Sequence, residues 1–84
     1  MPYAIEILRT AQKQLAKIDR QSQGRVIDAI RALSANPRPA GCKKLTGRLA
    51  WRIRIGEYRV IYEIEDSRLR VLVVAIGGRQ DVYR

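Results

Sequence analysis

The sequence predicts an α+β fold in the order β-α-α-β-β-β, an antiparallel-type sheet with a helix hairpin packed on one face. Three observations predict it. Apolar residues recur at helical spacing only between about residues 11 and 35. They alternate as in strands near the start and again through the last third of the chain. The later strand signals are separated by too few residues for crossover connections, so they must fold back as hairpins. Helices in one block and strands mostly in another imply layers that meet at a single core. With 84 residues, the chain reads as one domain, 1–84.

The first strand is expected over "YAIEIL", residues 3 to 8. Thr10 then offers an N-cap hydroxyl, and Ala11, Leu15 and Ile18 mark one face of a short helix. A break is expected at "DRQSQG". In the second helix Val26, Ile27, Ile30 and Leu33 form the apolar face, opposite Arg25, Asp28 and Arg31. This helix should stop at Asn36, because the residue before Pro37 is pushed out of the helical region. "NPRPAGCKKLTG" reads as a connecting loop. Three strands follow, "AWRIRI", "YRVIYEI" and "LRVLVVAI", joined by Gly56–Glu57 and by "EDSR". The last is apolar on both faces and therefore belongs inside the sheet.

Composition narrows the function. Seventeen Lys and Arg face eight Asp and Glu, a formal charge of +9, and thirteen of the seventeen cations are arginine. Such a balance attracts polyanions: nucleic acid, an acidic protein segment or an anionic membrane. Arginine in excess of lysine favours bidentate contacts to phosphate or carboxylate. A membrane is the weakest of the three, since no basic segment carries the large apolar face that an interfacial helix needs. The longest apolar run, "VLVVAI", is far short of the roughly 18 residues that cross a bilayer. The start of the chain lacks the marks of a signal peptide, and one cysteine, Cys42, permits no internal disulfide, so a cytoplasmic protein is expected. Without histidine or a cysteine cluster, metal sites built on imidazole or thiolate are excluded, and no cofactor is expected.

The cations are placed with a strand's periodicity. In "RLAWRIRIGEYRVIYEIE", Arg52 and Arg54 point to one face while Trp51, Ile53 and Ile55 point to the other. On the neighbouring strand Arg59 shares the cationic face, flanked by the core-facing Tyr58 and Val60. If the helices cover the apolar face, these arginines line the open one.

These residues carry a resemblance. "LTGRLAWRIRIGEYRVIYEI" and the terminal "AIGGRQDVYR" resemble the RelE family of toxins, within the RelE/ParE superfamily of type II toxin–antitoxin systems, and the resemblance spans essentially the whole chain. The carrying pieces are Arg52 with Arg54 on one strand, "GEYRVIY" on the next, and "GGR…VY" near the end. The chain departs from the pattern in having arginine where many relatives have lysine at positions 52 and 54, and Gly78 where many have a basic residue. The resemblance implies an endoribonuclease that cuts mRNA in the ribosomal A site, held inactive by a RelB-like antitoxin. It also implies the roles: Arg52 and Arg54 as the strand's basic pair, Arg59 as a phosphate-binding arginine, and Arg79 and Tyr83 as the C-terminal arginine and tyrosine. In this picture Lys43, Lys44 and Arg48 are RNA contacts.

Metal-free RNA cleavage needs a base for the 2′-hydroxyl, charge stabilisation at phosphorus and an acid for the leaving 5′-oxygen. Arginines supply the second requirement, but arginine stays protonated and is no base. Tyr83 is the preferred candidate, since surrounding arginines favour its phenolate. Glu57 and Glu63 are its rivals, with the objection that a carboxylate paired within an arginine cluster is a weakened base. A stacking platform is the other reading of Tyr83. Two further functions remain open at this level: a ParE-like inhibitor of DNA gyrase on the same fold, and a basic module that binds RNA or an antitoxin without cleaving.

Overall fold

The structure, a computed structural model, describes residues 2–78. Its elements are β1 (Ala4–Ile7), α1 (Arg9–Ala16), α2 (Arg20–Ala32), β2 (Lys43–Lys44), β3 (Trp51–Ile55), β4 (Tyr58–Glu65) and β5 (Arg70–Gly78), with a turn of 3-10 helix at Asp66–Arg68. The expected order is present, with one strand more, because two residues of the connecting loop pair with β3. The five strands lie in the order β1-β5-β4-β3-β2. Four of them form an antiparallel meander, while β1 pairs with β5 in parallel, Ala4 opposite Arg70 and Ile7 opposite Val73. The apolar β5 thus has a neighbour on each side, as its two-faced hydrophobicity requires.

The helices depart from expectation at their ends. Thr10 is not the cap of α1: the helix begins at Arg9, and Leu8 in the cap position offers no side-chain acceptor. No break spans residues 19–24 either. Asp19 accepts a 3.0 Å hydrogen bond from the Ser22 amide, satisfying one of the donors that a helix start leaves orphaned, and α2 runs from Arg20 straight through Gly24. α2 itself ends at Ala32, before the expected stop at Asn36, and tight turns carry the chain on until the Asn36 amide donates to the Ala32 carbonyl.

One hydrophobic core lies between the helix pair and the sheet. Ala11, Ile18, Val26, Ile30 and Leu33 come from the helical side, and Ile53, Val60, Tyr62, Val71, Val73 and Ile76 from the strands. Each fully buried Val or Ile of this set contributes roughly 1.5–3 kcal/mol relative to an exposed one. Polar atoms lock the layers together. Gln14 Oε1 accepts from the Ile76 amide at 2.7 Å, tying α1 to β5, and Gln23 Nε2 donates to the Leu15 carbonyl at 3.0 Å, tying α2 to α1. The Tyr62 hydroxyl, wholly buried, donates to the Pro37 carbonyl at 2.7 Å and fixes the loop beneath α2. Burial is the main reason that the Tyr62 phenol is held far above its usual pKa.

Both sheet edges are guarded. On β1, the Tyr3 amide donates to the Ser34 carbonyl at 2.8 Å, and the Ser34 hydroxyl donates back to the Tyr3 carbonyl at 2.7 Å. At the other end Gln12 Nε2 donates to the Ile7 carbonyl at 2.7 Å. The opposite edge is only two residues long, both of them lysine. Short, charged or covered edges are the usual protection against unwanted strand pairing.

Candidate nucleic-acid interface

The site is built on the β3–β4 hairpin. Its two-residue turn, Gly56–Glu57, has φ +58° at glycine and no positive φ at Glu57, the sign pattern of a type II′ turn. That turn fixes the register, so that Arg54 faces Arg59 and Arg52 faces Ile61 on the sheet's outer side, while Ile53, Val60 and Tyr62 turn inward. Side chains directly opposite across such a ladder have Cβ atoms about 4.5–5.5 Å apart. Arg52, Arg54 and Arg59 are therefore brought together, as the sequence led one to expect.

The short strand β2 adds a fourth cation and removes a candidate. Lys43 pairs with Arg52 and joins the outer face, whereas Lys44 pairs with Trp51 and takes the alternate side of the pleat. Arg48 lies apart from both, exposed in the loop between β2 and β3, where the Leu45 amide donates to the Ala50 carbonyl at 2.9 Å and Gly47 adopts φ +74°. Arg79 and Tyr83 lie outside the described residues.

The outer face is not open throughout. Arg54 is exposed and Arg52 half-buried, but Arg59 retains only 7% of its surface and Ile61, at the middle of the face, 2%. Arg52 stands directly opposite Ile61, where its methylene stem is placed to cover apolar surface. A cavity of about 150 Å³ opens where Arg54, Gly56, Glu57 and Arg59 meet, with Arg59 at its more buried end.

Farther along the same face the charge reverses. Beyond Ile61, Glu63 lies opposite Leu72, which is also the partner of Glu6, and Glu65 lies opposite Arg70. Arg70 pairs with Glu6 at 2.5 Å and lies 3.6 Å from Glu65. Glu63 is four residues along β4 from Arg59, on the order of 13 Å at a strand's rise of about 3.3 Å per residue. The outer side is thus cationic at the hairpin end and largely acidic at the other.

A second charged group, not anticipated from sequence, joins three segments on the far end of the molecule. Arg38 and Asp66 form an ion pair at 2.8 Å, the Tyr3 hydroxyl donates to Asp66 at 2.6 Å, and the Arg38 guanidinium lies 5.1 Å from the Trp51 ring centroid. The Asp66 carboxyl is held below its usual pKa, first by Arg38 and then by Tyr3. Trp51 accordingly packs against the core with a cation over its ring, consistent with a structural role for that residue.

Comparison with known proteins matches this architecture over nearly its full length. Residues 5–83 fit the family model described as the ParE toxin of the type II toxin–antitoxin system parDE. Toxin RelG of Mycobacterium tuberculosis is 33% identical over 87 residues, covering 100% of this chain and 99% of that protein. Among solved structures, the toxin–antitoxin complex RelBE2 of Mycobacterium tuberculosis superposes with a TM-score of 0.85 at 26% identity, covering 96% of this chain and 95% of the other. The archaeal RelE–RelB complex from Pyrococcus horikoshii OT3 gives 0.84 at 24% identity over 96% and 99%, a likeness of fold. Among the described residues, no helix is long and apolar enough to cross a membrane.

Proposed function

Since the chain belongs to the RelE/ParE superfamily of toxins of type II toxin–antitoxin systems, we propose that it is a ribosome-dependent endoribonuclease that cuts mRNA in the A site. The observation that carries the reading is the pairing of Arg54 with Arg59 on the face that also bears Arg52 and Lys43. Such a cluster clamps a phosphodiester through charge-assisted hydrogen bonds and stabilises the charge that builds up at phosphorus during attack. Arg79 would approach the leaving oxygen, and Tyr83 would complete the site as a proton carrier or a stacking platform. Arg48 in its exposed loop and Lys44 at the sheet edge would contact ribosomal RNA. Much of the rate would come from holding the RNA in line for attack.

The partner that restrains it would be a RelB-like antitoxin, acidic enough to answer a charge of +9. A hollow of about 490 Å³ between α1 and the ends of β4 and β5, lined by Ile18, Tyr58, Ile76 and Gly77 with Lys17 at its side, would receive apolar side chains of that segment.

The matching family model bears the ParE name, so gyrase inhibition is the second reading. Primer extension on mRNA in a translation extract separates the two. Cuts within A-site codons support the nuclease; intact mRNA together with blocked supercoiling would replace it with the gyrase reading.

A further inference from the structure

We propose that Glu57 is the general base of the cleavage, an inference that rests on the endonuclease reading above. Among the described residues that line the cavity between Arg54 and Arg59, the one acidic residue is Glu57. Its position follows from the type II′ turn, which sets Glu57 at the hairpin tip, one cross-strand pair (Ile55–Tyr58) beyond Arg54 and Arg59. Glu63, the other carboxylate near the cluster in sequence, is separated from Arg59 by the buried Ile61 and lies in the acidic half of the face.

The objection to a carboxylate among arginines is that an ion pair would occupy it. Among the described residues, the acidic side chains held in ion pairs are Asp66, Glu6 and Glu65; Glu57 has no partner within ion-pair distance. It is exposed, so its oxygens are free to meet a ribose, while Arg59 at the buried end and Arg54 at the rim would hold the adjoining phosphate. A phosphate between two guanidinium groups and a 2′-hydroxyl against a carboxylate is the arrangement that in-line attack requires.

The step balances without another reagent. Glu57 takes the proton from the 2′-hydroxyl as that oxygen bonds to phosphorus. The bond from phosphorus to the 5′-oxygen breaks, the electron pair leaves with the 5′-oxygen, and that oxygen takes a proton from water. The products are a 2′,3′-cyclic phosphate and a 5′-hydroxyl. The proton on Glu57 then passes to the hydroxide left in solvent.

The test is single-turnover cleavage on programmed ribosomes by the wild-type chain and by Glu57→Gln, Glu57→Ala and Glu63→Gln. Loss of a general base costs about 100-fold or more, so Glu57→Gln should be slowed by at least that factor, with unchanged melting temperature and unchanged binding to ribosomes carrying a 2′-deoxy A-site codon. The wild-type rate should fall on acidification and the glutamine variant's should not. Added formate should restore part of the rate to Glu57→Ala, and Glu63→Gln should cut like wild type. Cleavage by Glu57→Gln at the wild-type rate with the wild-type pH profile would overturn the base role alone. A wild-type chain that leaves the mRNA intact would overturn the endonuclease reading and the base role with it.

Discussion

Arg54 and Arg59 stand directly opposite each other on adjacent antiparallel strands, two cations in a cross-strand pair. Like charges in that relationship are destabilising. Nothing in the packing of the core needs them, since both lie on the face away from it. The proposed phosphate clamp gives the pair a reason to exist, because a bound phosphate would turn the repulsion into a shared attraction. Replacing the exposed member, Arg54→Ala, should therefore abolish growth inhibition while leaving the protein as stable or slightly more stable. The gain should shrink as salt is added, because the repulsion is screened. Thermal denaturation at low and high ionic strength, beside a growth assay, checks both halves; a large loss of stability would make Arg54 structural.

Arg54→Lys should stay active, since a lysine keeps the charge at an exposed position. A folded but inactive lysine variant in the same growth assay would show that guanidinium geometry is required there.

Tyr62 should be sensitive to the loss of one oxygen. Its hydroxyl is buried and donates to the Pro37 carbonyl, so Tyr62→Phe leaves that acceptor unsatisfied and should cost about 1–3 kcal/mol in urea denaturation. The raised pKa has a sign. Below about pH 10, the usual tyrosine value, folded and unfolded chains both carry the neutral phenol and the stabilisation is complete. Above it the unfolded chain ionises first, and stability falls as pH rises towards the folded value. Tyr62→Phe should flatten that alkaline limb.

Asp66 works in the opposite direction. Its folded pKa is depressed by Arg38 and Tyr3, so its contribution is present above the usual carboxylate pKa of about 3.9 and is lost as pH falls through the folded value. Asp66→Asn should reduce the acid sensitivity of the melting temperature below about pH 4. Because the pair is exposed, the difference between variant and wild type should diminish in high salt.

Antitoxin capture should be steered by charge. Stopped-flow association with an acidic antitoxin segment should slow as ionic strength rises, whereas dissociation, set by apolar contacts, should change little. A salt-independent on-rate would mean that neutralisation is steric.

What the sequence disclosed and what it withheld follow from the range of the interactions. The alternation in "WRIRIGEYRVIY" determines both faces of the β3–β4 hairpin, because a two-residue turn and a period of two leave one register. Arg52, Arg54 and Arg59 could thus be placed on one face from sequence. The parallel docking of β1 on β5 has no local signal, since its two strands lie at opposite ends of the chain. β2 is two lysines in a loop, and lysine has no preference for strands. The start of α2 was legible in principle: Asp19 is a good N-cap, but the polar residues after it, with Gly24, resemble a break. The burial of Arg59 and the meeting of Tyr3, Arg38 and Asp66 arise only when distant segments are brought together. Glu57 was visible as a candidate base, but only the cavity at the hairpin tip and the buried Ile61 between Glu63 and Arg59 distinguish it from Glu63.

The parallel pairing of β1 with β5 also bears on how the chain is made. Ala4 and Arg70 are far apart in the chain, yet the two are partners in the finished sheet. Until β5 is in place, β1 has no strand to join and one edge of β4 has no partner. Contacts between residues so distant in sequence form late, because the loop between them must be closed first. The β3–β4 hairpin that bears Arg52, Arg54 and Arg59 closes locally, whereas its support by the rest of the sheet waits for β5. On the proposed reading, a chain cut short before β5 would carry its arginines on an unsupported hairpin and should not cleave.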